Sequence, residues 1–185
     1  LEAVAAIDGS VAWNVMIGSE INAMVAGGMD PELAKEVYLE NPGVIMCGGG
    51  GPGSTPPKAV KQDDGSYRIW GETTFQSGCH QAEWCLMAAP IYENDEPVLD
   101  ENGMPNVRLW FLNKSEWTIR DTWDVAGMRG SGSQNVVAEG ALVPERFVPV
   151  QLLTMPAHYP NPVYRVPTAL RLAYNKAAVA IGVAR

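Results

Sequence analysis

The stretch from Trp70 to Cys79 contains residue types that together can hold a planar ring. It is predicted as a strand that ends at Gly78, with Ser77 beside the glycine and Phe75 two residues earlier. A serine hydroxyl and neighbouring backbone N–H groups can hydrogen-bond the polar edge of such a ring, while an aromatic side chain packs on its face. From spacing alone, a strand that merely turns at Ser-Gly is the simpler interpretation.

A second stretch, from Trp123 to Ser133, carries glycines at positions 127, 130 and 132 around Arg129. The glycines permit close backbone approach, and an arginine among them can meet an anion through two hydrogen bonds. The glycine order is not that of a dinucleotide-binding strand-turn-helix unit, which excludes that kind of site. From the residues alone, this stretch is interpreted as a β-turn with a surface arginine.

Histidines and cysteines are the other candidates for catalytic or metal-binding groups. His80 follows the predicted strand end, so a neutral imidazole there can donate to a substrate oxygen; the alternative is a partly exposed turn residue. Cys47, Cys79 and Cys85 are an odd number without a CxxC spacing, which predicts reduced, buried thiols and no disulfide framework. No metal site is predicted.

Helical patterns lie on both sides of the predicted strands. Over residues 10–26 the apolar positions recur at spacings of four, four and three, which places them on one face of a helix; they are Trp13, Ile17, Ile21 and Met24. Asp8 and Ser10 are candidate N-caps for this helix. A second helix is predicted from Asp30-Pro31 to Asn41-Pro42, and a last one is predicted to be capped by Thr168.

Short strands separated by turn signals fill the middle of the chain. The predicted segments are Val44–Cys47, Ala59–Lys61, Tyr67–Trp70, Phe75–Ser77, Trp84–Ile91, Val107–Asn113, Thr118–Trp123 and Ser133–Val143. Helices, then strands, then a helix is an α+β order, and this many short strands predict a small barrel or sandwich. Trp110, Trp117 and Trp123 are interpreted as core residues.

Charge and hydropathy exclude several classes of partner. The formal net charge is −8 and the thirteen Lys and Arg are scattered, which argues against a nucleic-acid surface. No apolar run approaches the roughly 18 residues of a membrane-spanning helix, so no membrane contact is expected. Together with reduced cysteines, this predicts a cytoplasmic protein. Both ends of the chain lie in helical patterns, which predicts an internal fragment of a longer protein.

Taken in order, the two stretches resemble motifs of the acyl-CoA dehydrogenase superfamily. Phe75-x-Ser77-Gly78 with Trp84 is similar to the flavin-facing strand of the two-component (group D) flavin-dependent monooxygenase branch. The 123–133 stretch resembles the superfamily's W-x-x-x-G-x-R-G-T-G-S, here with Ser131 for Thr, followed by Glu139 and Val143-Pro144. The segment Asp8-Gly9-Ser10 with Ala12-Trp13 also resembles this branch.

The resemblance assigns roles around the flavin to the first stretch. It implies that Phe75 lies along the flavin ring and that Ser77 lies near the N5 and C4a edge, where it is the first catalytic candidate. Gln76 and Gly78 are implied to make backbone contacts with the cofactor. His80, close to the same edge, is the second catalytic candidate.

Further cofactor contacts are implied elsewhere in the chain. Cys47 and Gly48 match the backbone segment that faces the pyrimidine side of the flavin, and Trp13 matches a residue that lines the pocket beside the ring. Arg129 and Ser131 are implied to lie near a phosphate or to hold the adjoining loop. The cofactor is expected to be FMN or FAD.

The chain departs from the family pattern at two places. Acyl-CoA dehydrogenases usually show T-E-P-G-A-G-S-D after the first β-strand, whereas residues 47–54 here read CGGGGPGS, without the Glu-Pro pair. The monooxygenase branch often carries a histidine about two turns after the tryptophan of the first helix; here Glu20, Ile21 and Asn22 occupy that zone. The first departure weakens the match to dehydrogenases, and the second leaves the oxygenating chemistry open.

The resemblance also implies a domain organisation. Residues 1–42 are expected to end an N-terminal helical domain, 43–150 to form the acyl-CoA dehydrogenase-like middle β-barrel domain, and 151–185 to be a linker and the start of a C-terminal helical domain. A catalytic base is expected in the remainder of that last domain. The intact protein is expected to be a homo-oligomer, a tetramer.

Three functions follow as hypotheses. The first is a monooxygenase that uses reduced flavin, provided by a separate flavin reductase, and dioxygen to hydroxylate a small aromatic or polycyclic organic substrate. The second is an acyl-CoA dehydrogenase with bound FAD that oxidises a CH–CH bond. The third, from a different class, is a non-catalytic β-barrel binding module.

Overall fold

The computed structural model of the protein describes residues 1–147 and 158–185. The helices are α1 (Glu2–Ala5), α2 (Gly9–Gly28), α3 (Pro31–Glu40) and α4 (Thr168–Val183). The strands are β1 (Met46–Gly48), β2 (Lys58–Lys61), β3 (Tyr67–Gln76), β4 (Trp84–Glu93), β5 (Glu96–Pro97), β6 (Val107–Asn113), β7 (Trp117–Arg120) and β8 (Gln134–Val143). The predicted α+β order is therefore confirmed, and the predicted boundary between residues 150 and 151 lies outside the described residues.

Helix α2 follows the sequence pattern that predicts it. Asp8 is its N-cap, and its carboxylate accepts a hydrogen bond of 2.9 Å from the Val11 N–H, which satisfies one of the free N–H groups of the first turn. Its predicted apolar face, from Trp13 to Met24, points towards the sheet and α4. Helix α4 differs from expectation in one detail, because Pro167 is its N-cap residue and Thr168 is already in the first turn.

The strands form one eight-stranded sheet that bends at β4. The first part of β4, residues 84–90, pairs with β1 in parallel and with β6 in antiparallel orientation. Its last part, residues 91–93, pairs instead with β2 and β5. The path then continues from β2 through β3 and β8 to β7. Because β4 changes partners along its length, the sheet turns a corner there.

A single apolar core fills the inside of this bend. It takes residues from seven strands on both sides of the corner, so the sheet curls around one interior; members are Cys47, Ala59, Ile69, Cys85, Trp110, Leu112, Trp117 and Val136. The pairings among the described residues follow an open path, so the predicted small barrel is a half-barrel. Among these residues, none of the helices is both long and apolar enough to cross a membrane.

Two predicted strand boundaries were wrong. The predicted strands Tyr67–Trp70 and Phe75–Ser77 fall on one strand, β3, which ends at Gln76 and stays paired with β8 through two shifts of register. The strand predicted to reach Trp123 ends at Arg120, because the chain turns away from β8 beyond that residue. Beyond Arg120, backbone hydrogen bonds between strands give way to bonds with a side chain. Gln134 Oε1 accepts hydrogen bonds of 2.7 Å from the backbone N–H groups of residues 122 and 123.

Candidate functional site

A cavity of about 560 Å³ lies between the curled sheet and helices α2 and α4. Most of its wall comes from the apolar face of α2, the glycine loop after β1, the end of β3 and the segment between β7 and β8, with one residue each from β4 and β6. Helix α4 contributes Leu172 and Lys176. The cavity therefore gathers both stretches that the sequence singled out, together with the first helix.

The end of β3 presents an aromatic side chain to this cavity. Between Thr73 and Gln76 one extra residue is inserted relative to β8, and Phe75 adopts a left-handed backbone conformation with φ of 59°. Such a conformation costs a non-glycine residue about 1–2 kcal/mol, and strain of this kind gathers at functional sites. The bulge turns the Phe75 side chain out of the sheet, where it is 58% exposed and meets Trp123 edge-on with ring centroids 5.9 Å apart.

The glycine loop after β1 passes directly behind this bulge. A Cβ atom on Gly49 would lie 2.5 Å from the carbonyl oxygen of Thr74 and 2.7 Å from that of Phe75, so no larger residue fits there. The loop is tied to β3 by hydrogen bonds from Gly50 N–H to Thr74 O at 3.1 Å and from Thr74 N–H to Gly51 O at 2.9 Å. The glycine run thus brings bare backbone to the cavity wall beside Phe75.

Three buried serines form a hydrogen-bonded chain that begins at α2. The indole N–H of Trp13 donates to Ser77 Oγ at 3.0 Å, and Ser77 Oγ lies 2.7 Å from Ser133 Oγ. Ser133 Oγ in turn lies 2.7 Å from Ser131 Oγ. Ser77 Oγ accepts the hydrogen bond of Trp13. If Ser133 also donates to Ser77 Oγ, the hydroxyl hydrogen of Ser77 is not used within the wall and can point into the cavity. The chain can therefore offer a donor to a ligand.

A buried carboxylate holds the far end of the glycine loop. Glu72 in β3 accepts hydrogen bonds from Ser54, from Asn135 Nδ2 at 2.7 Å and from Arg120 Nη1 at 3.1 Å. The hydrogen bonds of Ser54 and Asn135, with a smaller contribution from the Arg120 charge, lower the pKa of Glu72 below its ordinary value although burial acts in the opposite direction. Glu72 therefore remains ionised and fixes the loop against β3, β7 and β8.

Five of the predicted site residues line the cavity: Trp13, Gly48, Phe75, Ser77 and Ser131. Their side chains or backbone come from α2, β1, the end of β3 and the turn before β8. The fold thus brings together residues that are distant in sequence. Their contacts with a cofactor remain predictions.

Three other predicted residues support this wall from behind or from the side. Cys47 packs in the core of the half-barrel. Gln76 is also buried, and its side-chain amide donates to Thr73 Oγ1 at 2.8 Å. Gly78 lines a neighbouring cavity that shares Ser77, and its N–H donates to the carbonyl of Ser131 at 3.2 Å.

Arg129 and His80 lie away from the cavity lining. The exposed Arg129 guanidinium donates to Asp124 Oδ1 at 3.2 Å and to the Val125 carbonyl at 3.0 Å. Arg129 therefore stabilises the loop in which it lies. His80 is exposed in the turn after β3, where its ring lies beside Gly132.

Sequence reasoning missed two residues of the site. Trp123 was predicted to be a core residue, but it is half-buried on the cavity wall beside Phe75, because the chain has already left the sheet at that position. Ser133 was predicted only as a strand residue, yet it is the middle member of the serine chain. The conspicuous W…RGSGS stretch contains both residues and was the available signal.

Comparison with known proteins gives a consistent result. No protein-family model matches the chain. Over 163 residues the chain is 32% identical to a pigment production hydroxylase of a Rhodococcus species, an alignment that covers 84% of this chain and 36% of that protein. Over 121 residues it is 34% identical to the oxygenase component of an FADH(2)-dependent resorcinol hydroxylase of a Rhizobium species, with 65% of this chain and 27% of that protein covered. The chain therefore resembles the oxygenase components of flavin-dependent hydroxylases and monooxygenases.

The fold leads to the same group of proteins. It superposes on the HsaA monooxygenase of M. tuberculosis with a TM-score of 0.78 and 23% identity, covering 98% of this chain and 46% of that chain. XiaF from a Streptomyces species, solved in complex with FADH2 and glycerol, superposes with a TM-score of 0.78 and 21% identity over 98% of this chain and 44% of that one. The chain therefore has the fold of part of these two proteins, and it spans less than half of the length of each.

Proposed function

We propose that the protein is the oxygenase component of a flavin-dependent monooxygenase and binds reduced FMN or FAD in the cavity beside β3. The observation that carries the proposal is the bulge at the end of β3. It directs an exposed phenylalanine ring and a buried serine hydroxyl, two residues apart, at the same cavity. The names of the relatives, which are hydroxylases and monooxygenases, support the same activity.

The residues of the cavity fit a planar tricyclic ring. Phe75 offers a flat apolar surface for one face of the ring, and the loop at Gly48 and Gly49 allows backbone to approach a ring edge closely. Ser77 offers a hydroxyl hydrogen for the polar edge that carries N5 and C4a. The bound flavin supplies the oxygen-inserting chemistry, which no side chain of the protein can perform.

The chain's own contribution is to position the reactants and to exclude water. Trp13 fixes the orientation of the Ser77 hydroxyl through its indole N–H, and Ser133 and Ser131 complete the hydrogen bonds of that hydroxyl inside the wall. Ile17, Ile21 and the other apolar residues of α2 keep the opposite wall dry. A dry site strengthens each polar contact with the cofactor and protects its reduced form from side reactions.

The rest of the assembly belongs to the same proposal. The substrate is a small aromatic or polycyclic molecule, and a separate reductase supplies the reduced flavin, as the words "oxygenase component" in a relative's name suggest. In the intact protein, residues 43–150 form the middle domain of an acyl-CoA dehydrogenase-like subunit, between two helical domains. The subunits form a homotetramer in the cytoplasm.

Flavin titration tests the proposal. Under anaerobic conditions the intact protein is expected to bind reduced FMN or FAD, and on exposure to ¹⁸O₂ with the reductase and an aromatic substrate it is expected to place one ¹⁸O atom in the product. Ser77→Ala should lower the rate of product formation at least tenfold, since a buried donor to the reacting edge is lost. Ser19→Ala on the exposed side of α2, whose hydroxyl donates to Val15 O, is the matched control.

Three results would contradict the proposal. They are failure to bind either reduced flavin, product without ¹⁸O, and an unchanged rate in Ser77→Ala. Reduction of a tightly bound FAD by an acyl-CoA, with no oxygen incorporated, would instead support the dehydrogenase alternative.

A further inference from the structure

The three serines of the cavity wall carry one more hydroxyl hydrogen than the contacts between them use. Ser77, Ser133 and Ser131 are each no more than 4% exposed, and two contacts of 2.7 Å join them in that order. Either oxygen of each contact can donate, so two of the three hydrogens are used and one is left over. The directions of the two bonds decide which serine keeps the surplus hydrogen.

The pairing of β3 with β8 fixes Ser77 opposite Ser133. The two strands run antiparallel with Gln76 opposite Gln134, and Ser77 and Ser133 are the next positions beyond this pair. Among the residues that the structure describes, Ser133 Oγ is the acceptor that the Ser77 hydroxyl hydrogen can reach, since the indole nitrogen of Trp13 can only donate. Ser133 therefore controls where the Ser77 hydrogen points.

The two directions of the Ser77–Ser133 bond present opposite partners to the cavity. When Ser133 donates, the hydrogen of Ser77 points into the cavity, and the wall is a donor there. When Ser77 donates to Ser133, a lone pair of Ser77 faces the cavity instead, and the wall is an acceptor. The surplus hydrogen then lies on Ser133 or Ser131, which also line the cavity and can give it to water. Rotation of the hydroxyl group thus reverses the polarity of the wall.

A flavin offers both kinds of partner at the edge assigned to Ser77. Its N5 atom is a bare acceptor in the oxidised ring and carries a hydrogen in the reduced ring. We propose that Ser133 is the positioning residue that lets the Ser77 hydroxyl reverse, so that Ser77 donates to N5 of oxidised flavin and accepts from the N5–H of reduced flavin. The inference rests on the proposed function, because it concerns the same cavity and the same cofactor.

Removal of the Ser133 hydroxyl should affect only the reduced complex. In Ser133→Ala, oxidised flavin still accepts the hydrogen of Ser77. Reduced flavin places its own N5–H on the cavity side of Ser77, so the hydrogen of Ser77 is turned into the wall, where no acceptor remains. A buried donor without a partner is costly, whereas a hydrogen that reaches the cavity can pair with water.

Titration with both redox states of flavin tests this role. The dissociation constants of oxidised and reduced FMN or FAD are measured with the intact protein without oxygen. In Ser133→Ala the ratio of the reduced to the oxidised constant is expected to rise about fivefold to hundredfold, which is the cost of an unpaired buried hydroxyl. The midpoint potential of the bound flavin should fall by about 20–60 mV, since a tenfold change corresponds to about 30 mV for two electrons. A general loosening of the wall weakens both complexes and leaves the ratio unchanged.

Ser131→Ala is the matched control on the same chain of serines. It also removes one buried hydroxyl, but Ser133 can still accept from Ser77 and turn its own hydrogen towards the cavity, so the ratio should not change. The effect of Ser133→Ala should also disappear when Ser77 is already alanine, because Ser133 acts through the Ser77 hydroxyl. A structural role of Ser133 predicts no such dependence on Ser77.

The inference would be overturned by an unchanged ratio in Ser133→Ala, by an equal rise in Ser131→Ala, or by a rise that persists in the variant without the Ser77 hydroxyl. Flavin binding by the unchanged protein is measured first. If neither redox state binds, the proposed function and the inference fail together. If flavin binds and the ratio does not respond to Ser133→Ala, the role of Ser133 fails alone.

Discussion

The indole N–H of Trp13 donates a 3.0 Å hydrogen bond to the hydroxyl of Ser77, across 64 positions of sequence. This contact joins the first long helix to the end of β3 at the wall of the cavity. The contact also fixes the direction of this hydrogen bond, because an indole nitrogen can only donate. Ser77 must therefore act as an acceptor on the helix side, and its own hydrogen remains for Ser133 or for a ligand.

Trp13→Phe tests the importance of this contact. The substitution keeps an aromatic side chain on α2 and removes the donor to Ser77. A neutral hydrogen bond of this kind contributes about 0.5–1.5 kcal/mol, so the affinity for reduced flavin should fall roughly twofold to tenfold. Trp70→Phe is the control, since Trp70 lies against Gly140 on the sheet and does not line the cavity. Equal affinities of the two variants would contradict the prediction.

Gly49→Ala tests whether the glycine loop must approach β3 so closely. The new Cβ would meet the carbonyl oxygens of Thr74 and Phe75 within 2.7 Å, and backbone cannot move aside as a flexible side chain can. The free energy of unfolding should fall by about 1–3 kcal/mol, and flavin binding should weaken as the loop shifts.

Gly18→Ala provides the matched control for this substitution. Gly18 lies within α2, and a Cβ there meets no atom of the described residues within 4 Å. Alanine favours the helix, so the free energy of unfolding should rise by about 0.5–1 kcal/mol in urea titrations. If both alanine variants changed stability in the same direction, the close contact at Gly49 would not be the cause.

Local patterns predicted most of the elements but not the path of the sheet. The cap at Asp8 and the 3.6-residue period predicted α2, and alternating turn signals predicted nearly every strand, because these features depend on neighbouring residues. The curl of the half-barrel depends on β4, which pairs with four other strands along its length. Such pairings are non-local, and no short segment of sequence encodes them.

The candidate site was predictable to a similar extent. The residue types at Phe75 and Ser77 suggested a ring-binding wall, but the left-handed conformation that turns Phe75 outward arises from the register of β3 against β8. The partner of Ser77 in the wall, Ser133, is 56 residues away. Lys176 meets Glu20 across 156 residues, so only the folded chain could reveal that pair.

The ionised Glu72 carboxylate predicts loss of stability in acid. Its pKa is lower in the folded protein than in the unfolded chain, so the unfolded state binds the proton first as the pH falls. The contribution of Glu72 is therefore complete above the ordinary carboxyl pKa near 4.5 and is lost as the pH falls through the lower folded value. Urea titrations at pH 7 and pH 4 should show a smaller drop in stability for Glu72→Gln than for the unchanged protein.

Glu72→Gln should also lower the free energy of unfolding at pH 7, by roughly 1–3 kcal/mol, because Arg120 loses its charged partner and the bonds of Ser54 weaken. The control is Glu32→Gln, which removes an exposed charge that pairs with the exposed Lys35. An acid-induced drop that is the same in Glu72→Gln and in the unchanged protein would show that Glu72 is not the titrating group.

The buried thiols of the half-barrel should be unreactive in the folded protein. Burial raises the pKa of the Cys79 thiol to about 11, and burial together with the neighbouring Cys47 raises that of Cys85 well above its ordinary value. The reactive species is the thiolate, so raising a pKa from 9.0 to about 11 lowers its population at pH 8 about a hundredfold, even before access is considered. Labelling with Ellman's reagent at pH 8 should modify fewer than one thiol per folded chain while free cysteine reacts fully. In urea all three cysteines should react, and rapid labelling of the folded protein would mean that the core opens far more readily than its packing implies.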